Sequence, residues 1–230
     1  GDDGSGAGTA PTLRRTQATS STGWTPPRGP ACRLVLVRHG STEHSASMRF
    51  SGRNDLPLNE VGTQQAAGLA VRAYGSVAAV ISSPLRRAVQ TAEAIAGPLG
   101  RTVEIDDDLV ETDFGRWEGL TFAEAATSHG EQLAQWRSSP DVAPPEGESF
   151  ATVGLRVRRA RERVVAAHAG ETVVVVSHVT PIKLLVRFAL EAPPTAMFRL
   201  HLDTASVSII DCFGDGGASV RLVNDTGHLS

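Results

Sequence analysis

The chain is short of several things that would direct its reading elsewhere. It has two cysteines, Cys32 and Cys212, far apart in sequence. That does not make a disulfide-stapled fold, and the expectation is two buried free thiols. No apolar run approaches the roughly 18 residues of a membrane span. The N-terminal stretch lacks the basic-then-apolar layout of a signal peptide. The formal net charge of −3 gives no global pull toward nucleic acid or an anionic membrane, so any anion site must be a local cluster. No group of carboxylates suggests a metal pair, and His39 and His44 flank a loop without helical ligand spacing. The expectation is therefore a chain in a reducing, cytoplasmic setting, with no metal and no cofactor, no nucleic acid partner and no membrane.

Residues 1–31 are dominated by Gly, Ser, Thr, Ala and Pro, with almost no large apolar side chains. Such a stretch cannot offset the entropy of ordering itself and reads as a flexible linker. Because the first residue is Gly rather than Met, the expectation is a piece of a longer chain with an upstream domain. Composition changes at Cys32. Residues 32–226 read as one domain, and 227–230 as a tail.

Within that domain, residues 33–37, 77–81 and 172–176 are continuous apolar runs, as expected of strands buried on both faces. Each is followed by a loop and a helical pattern, which predicts an α/β fold with a mainly parallel central sheet flanked by helices. Ser83-Pro84 and Thr180-Pro181 read as helix starts, an N-cap and then a proline in the first turn. Asn59 begins a helix running toward Tyr74, Ser149 caps a long one through His168, and Thr121–Trp136 reads as another. Residues 206–213 and 219–223 flank Gly214-Asp215-Gly216-Gly217, which predicts an edge hairpin near the C-terminus.

The chemistry lies where the three strands end. The first runs into Arg38-His39-Gly40-Ser41-Thr42, the second into Ser83-Pro84-Leu85-Arg86-Arg87, the third into Ser177-His178-Val179-Thr180. In parallel α/β sheets ligands bind outside the carboxyl ends of the strands, where helix N-termini also point. Two histidines and up to three arginines can gather there, with Arg86 and Arg87 equally eligible. A single Arg-His pair is usually structural. Three basic strand ends together are harder to obtain for structural reasons, because buried like charges repel and lose hydration. Guanidinium forks suit phosphate oxygens, and a neutral imidazole can attack phosphorus.

These residues resemble the histidine phosphatase superfamily, also called phosphoglycerate mutase-like. The resemblance rests on Leu36-Val37-Arg38-His39-Gly40-Ser41-Thr42, Arg49-Phe50-Ser51-Gly52-Arg53 and Asp55-Leu56-Pro57-Leu58. It continues through Gly62, Gln65-Ala66, Ser83-Pro84-Leu85-Arg86-Arg87-Ala88 and Gln90-Thr91-Ala92. Glu111, Phe114-Gly115-Arg116-Trp117-Glu118-Gly119, Gly147-Glu148-Ser149 and Ser177-His178 complete it. The resemblance implies that His39 is phosphorylated and that Arg38, Arg87 and His178 hold the phosphate. Glu111 would be the general acid. It also selects Arg87 over Arg86, since the arginine directly precedes the alanine. Ser41, Thr42, Ser51, Arg53 and Val179 fall where substrate contacts are expected. Ser41 and Thr42 can equally cap their loop, Arg49, Ser51 and Arg53 can be a solvated face, and Trp117 and Glu118 more naturally fix the loop that carries Glu111. Two positions depart from the pattern: Ser45 stands where many relatives have Asn, and Val179 where they have Gly.

Within the family a mutase would carry a sizeable lid after the acidic loop, and the short span from Gly119 to Ser149 favours water as acceptor. The implied activity is a phosphatase on a small phosphorylated substrate, most like the group acting on α-ribazole 5′-phosphate, some members of which follow a ribonuclease H domain. A mutase and a non-catalytic phospho-ligand module are the alternatives. A homodimer is also left open.

Overall fold

The computed structural model describes residues 29–72 and 74–229. All but the last three positions of the linker read over 1–31 lie outside the described residues. A single sheet of six strands runs in the order β3-β2-β4-β1-β5-β6. Strands β1 (Cys32–Arg38), β2 (Val77–Ser82), β3 (Val103–Ile105) and β4 (Thr172–Ser177) are parallel. β5 (Val207–Cys212) pairs antiparallel to β1, and β6 (Ala218–Asp225) antiparallel to β5, forming the expected edge hairpin.

The apolar runs of β1, β2 and β4 are divided between two cores by the alternation of side chains along a strand. Leu34, Leu36, Ala79, Ile81, Val173 and Val175 pack under α5 (Phe150–Ala167) and α6 (Val179–Ala189). Val35, Val37, Val80, Val174 and Val176 pack under α2 (Glu60–Val71) and α3 (Arg86–Ala96). Each fully buried Val, Leu or Ile contributes roughly 1.5–3 kcal/mol relative to exposure. Cys32 and Cys212 are free and buried, and they face each other across β1 and β5. A third, smaller cluster sits off the sheet: Phe114, Trp117, Leu133, Trp136 and Phe150, built around α4 (Phe122–Ser138).

Asn59 and Ser149 cap α2 and α5 as the sequence predicts, accepting from Gly62 N at 2.8 Å and Thr152 N at 3.2 Å. Thr121 and Glu124 form a capping box at α4, which kinks at His129. α2 stops at Val71, short of Tyr74, where Arg72 turns extended and ion-pairs with Asp225 at 2.5 Å. Two helix starts differ from the sequence reading. α3 begins at Arg86, and the Arg86 N–H is taken by the Asp55 carboxylate at 2.6 Å. α6 begins at Val179 with His178 at the cap position, and the Thr180 N–H donates to Glu111 Oε2 at 3.3 Å. Ser83 does accept the Leu85 N–H, at 3.3 Å, while carboxylates from other segments take the N–H groups of Arg86 and Thr180. The single turn α1 (Glu43–Ala46) and the three-residue strand β3 were not apparent from sequence; β3 is too short, and mostly too exposed, to leave a pattern. Gly227–Leu229, read as a tail, closes as a 3-10 turn, with His228 Nε2 2.9 Å from the Ala205 carbonyl oxygen.

The loop after β1 approaches α2 backbone to backbone. A Cβ at Gly40 would stand 2.5 Å from the Gly62 carbonyl oxygen, and one at Gly62 would stand 2.7 Å from the Ser41 amide. Backbone cannot give way as a flexible side chain can. Gly62→Ala is expected to lower stability by about 2 kcal/mol or more and to impair any activity that depends on the His39 loop. Urea unfolding midpoints check this; an unchanged midpoint would show that the loop can move.

Candidate active site

β1, β4 and β2 are neighbours in the sheet, so their carboxyl ends lie side by side, with Arg38 in register with Ser177 and Ser82 with Val176. His39, Ser83 and His178 each follow one of these ends directly. The sheet hydrogen bonds continue into two of the loops, His39 N donating to Ser177 O at 3.1 Å and Ser83 N to Val176 O at 3.0 Å. The imidazoles of His39 and His178 meet with ring centroids 5.0 Å apart.

His39 Nδ1 lies 2.7 Å from the carbonyl oxygen of Gly40. Nδ1 must therefore carry the hydrogen and donate it, which leaves the Nε2 lone pair for a substrate. Burial, then the charges of Arg87 and Arg38, push both the His39 and the His178 imidazole well below the ordinary value. The nucleophilic, unprotonated form of His39 is thus favoured.

The structure separates the two adjacent arginines: Arg86 is exposed and Arg87 is wholly buried. Arg87 Nη1 donates to the Asn54 carbonyl at 2.7 Å, and Nη2 to those of Gly52 at 2.8 Å and Ser51 at 3.2 Å. Arg38 Nη1 donates to the Leu202 carbonyl at 2.6 Å. Burial lowers both guanidinium pKa values, that of Arg38 to about 10, and Glu111 acts to raise both. Each remains charged near neutrality. The Nε of each arginine and the Nδ1 of His178 are buried without a hydrogen-bond partner. Buried polar atoms are seldom left so. Three unpartnered groups on three residues of one cluster fit an anion that approaches it.

Glu111 comes from the segment after β3 and is 4% exposed. Its Oε1 accepts from Thr112 N at 2.7 Å and its Oε2 from Thr180 N in the first turn of α6. Arg156, missed by the sequence reasoning, and Glu148, named there only within Gly147-Glu148-Ser149, hold this segment. Arg156 Nη1 donates to the carbonyls of Asp108 (2.9 Å) and Val110 (2.5 Å), and its Nη2 to that of Glu111 (3.1 Å). The same guanidinium pairs with both carboxylate oxygens of Glu148, each at 3.0 Å. Burial works against the Glu148 charge, yet Arg156 and the Asp113 N–H hold its carboxyl below the ordinary value. A signal existed: Arg156 shares the buried stripe of Val153, Val157, Ala160 and Val164, where a charge needs a reason. Lys183, on α6, is a further cation, with Nζ 3.0 Å from the Met197 carbonyl oxygen and its pKa lowered by burial and by Arg38.

The residues expected at the substrate are placed unevenly. Thr42 caps α1 in a reciprocal box with Ser45, whose hydroxyl accepts from Thr42 N at 2.7 Å. Ser41 donates through its N–H to Gln65 Oε1 at 2.8 Å, and its hydroxyl accepts from Asn59 at 3.2 Å. These side chains are engaged in shaping the loop. Ser51 bonds Asn54 and offers its carbonyl to Arg87, while the half-exposed Arg53 reaches Glu148 at 3.4 Å. Val179 is helical with negative φ, so a glycine is not required there. Glu118 accepts the Gly52 N–H at 2.9 and 3.0 Å, and Arg49 reaches the Gly119 carbonyl at 2.8 Å, bracing the 51–54 loop against the Glu111 segment.

Residues 34–226 match the profile of the histidine phosphatase superfamily (branch 1). The chain belongs to that superfamily. It is 54% identical over 217 residues to a bifunctional protein of Mycobacterium tuberculosis, covering 93% of this chain and 59% of that protein. The chain thus spans about three-fifths of the length of that relative. It is 35% identical over 199 residues to phosphoserine phosphatase 1 of Hydrogenobacter thermophilus, covering 86% of this chain and 94% of the relative. A solved mycobacterial glucosyl-3-phosphoglycerate phosphatase, complexed with VO3, superposes with a TM-score of 0.77 at 32% identity, over 85% of this chain and 100% of the other.

Three outcomes follow from the geometry. Below about pH 6.5 the unfolded chain binds protons at positions 39 and 178 that the folded chain refuses, so these groups cost stability as pH falls from 6.5 and contribute nothing above it. The drop in urea midpoint between pH 7.5 and 5.5 should be smaller in His39→Asn than in the wild type; an equal drop would remove His39 from this role. Arg156→Met should destabilise by about 3 kcal/mol, since it strands Glu148 and three carbonyls. Arg156→Lys, tested for thermal stability and turnover, should lower kcat more than it raises KM, because the Glu111 segment loses its anchor.

Proposed function

We propose that the chain is a metal-independent phosphomonoester hydrolase working through a phosphohistidine on His39. The observation that carries this reading is the His39 tautomer: Nδ1–H bound to the Gly40 carbonyl, with Nε2 left for a substrate and the charges of the wholly buried Arg87 and the half-buried Arg38 acting on the ring. Nε2 attacks phosphorus and the bond to the ester oxygen breaks. Glu111 delivers its proton to the departing alkoxide. Water then attacks the phosphohistidine, Glu111 takes up its proton, and orthophosphate leaves with His39 neutral again. Arg38, Arg87 and His178 bind the phosphoryl oxygens and stabilise the charge that spreads over them during transfer.

Water as acceptor, rather than a second alcohol, is supported by the span between Gly119 and Ser149. It holds the single kinked helix α4 and a short connection, packed into the aromatic cluster. The substrate is a small phosphorylated metabolite. α-Ribazole 5′-phosphate is one candidate on the Phe-Gly-x-Trp-Glu-Gly pattern. Phosphoserine and glucosyl-3-phosphoglycerate are others, after the names of the relatives. An upstream domain joined through residues 1–31, and a cytoplasmic setting, belong to the same reading.

The test is hydrolysis of a generic aryl phosphate in excess chelator. Activity should survive the chelator and vanish in His39→Ala. Glu111→Gln should slow alkyl phosphates more than activated aryl phosphates, since only the former need the proton. Chelator-sensitive turnover, or equal slowing of both substrate types, would overturn the corresponding part of the mechanism.

A further inference from the structure

We infer that Ser83 holds His178 in its Nδ1–H tautomer and is thereby a positioning residue for the phosphoryl group. The inference rests on the phosphatase reading of the site, but its central observable does not depend on turnover.

Ser83 is wholly buried immediately after β2. Its backbone is clamped on both sides, the N–H donating to Val176 O at 3.0 Å and the carbonyl accepting from Ser82 Oγ at 2.8 Å. The hydroxyl oxygen has two neighbours: Leu85 N at 3.3 Å and His178 Nε2 at 2.7 Å. An amide N–H can only donate, so Leu85 uses the oxygen as an acceptor. The hydroxyl has one hydrogen to place, and among the described residues His178 Nε2 is the acceptor its geometry offers. Nε2 is then an acceptor, and the ring hydrogen of the neutral imidazole resides on Nδ1.

That Nδ1 is the buried, unpartnered atom of the ring. The opposite tautomer would strand a buried hydroxyl hydrogen and place a lone pair where an anion is to bind, and both are unfavourable. Burial and the neighbouring arginines keep His178 neutral, so a single tautomer can be defined. The two histidines therefore share a tautomer and present opposite faces of it. His39 spends its Nδ1–H on Gly40 and offers a lone pair to phosphorus. His178 spends its Nε2 lone pair on Ser83 and offers an N–H to a phosphoryl oxygen. The Ser83 oxygen thus takes an N–H at the approach to α3, as a cap would, and its hydrogen goes to the imidazole.

The test combines imidazole nitrogen spectra with kinetics. In 15N-histidine-labelled protein at pH 7, with the His178 signals identified by their loss in His178→Gln, the wild type should show the Nδ1–H pattern. Ser83→Ala should show a mixed or Nε2–H pattern, and Ser83→Thr, which keeps the hydroxyl, should restore the first. In parallel, Ser83→Ala should lower kcat/KM for an aryl phosphate about 10- to 100-fold and weaken vanadate inhibition, with Ser83→Thr recovering most of both. An Nε2–H pattern in the wild type would overturn the inference on its own, even if a Ser83 variant failed to fold. So would an unchanged Nδ1–H pattern in Ser83→Ala with kcat/KM within about twofold of wild type. Failure of the phosphatase reading looks different: an inactive wild type that nonetheless shows the Nδ1–H pattern.

Discussion

The guanidinium groups of Arg38 and Arg87, one half-buried and one wholly buried, act on two buried imidazoles and set the terms for the rest of this molecule. Removing a cation from water costs several kcal/mol unless polar atoms replace the lost hydration. The chain supplies those atoms from its backbone. Arg87 draws in the carbonyls of Ser51, Gly52 and Asn54, and Arg38 that of Leu202. The 51–54 loop thus serves as a counter-dipole for Arg87. Neutral histidines belong to the same solution, because a third and fourth positive charge in this volume would have no compensation.

A second constraint acts on Glu111. A carboxylate among these cations would be drawn wherever they pulled it, unless its segment were fixed independently. Arg156 and Glu148 fix the backbone on either side, and the Trp117–Trp136 pair, edge to face at 5.5 Å, anchors the residues that follow. The carboxylate is thus tied to the sheet layer through Leu109, α5 and the first turn of α6, and only the residues after it run into the aromatic cluster.

Much of this was legible in the sequence, and the limits have physical causes. The three apolar runs, each ending in a histidine or arginine motif, pointed to the parallel sheet and to the convergence of Arg38, His39, His178 and one of Arg86 and Arg87, because buried strands and their exits differ sharply in composition; the choice of Arg87 rested on the family resemblance. Glu111 was invisible without the family resemblance, since an acidic residue in an acidic loop carries no local mark of what it faces. The starts of α3 and α6 were misplaced for a related reason. Ser83 looks like a cap and does take the Leu85 N–H, but α3 starts at Arg86, whose N–H goes to Asp55; Thr180 looks like a cap, but its own N–H goes to Glu111, inside a helix that has already begun. Local rules read local partners. Arg156 was missed although its place in an apolar helical stripe was in plain view.

The cysteines carry a consequence of another kind. Cys32 opens β1 at the end of the sheet opposite His39, and Cys212 faces it across the ladder. Both thiols are buried, and burial together with Cys212 pushes the Cys32 thiol up to about 12. Neither thiol can meet an alkylating reagent while the central strands stay paired. Their labelling rate is therefore a clock for opening of the sheet, one that any ligand held only by the folded chain would slow.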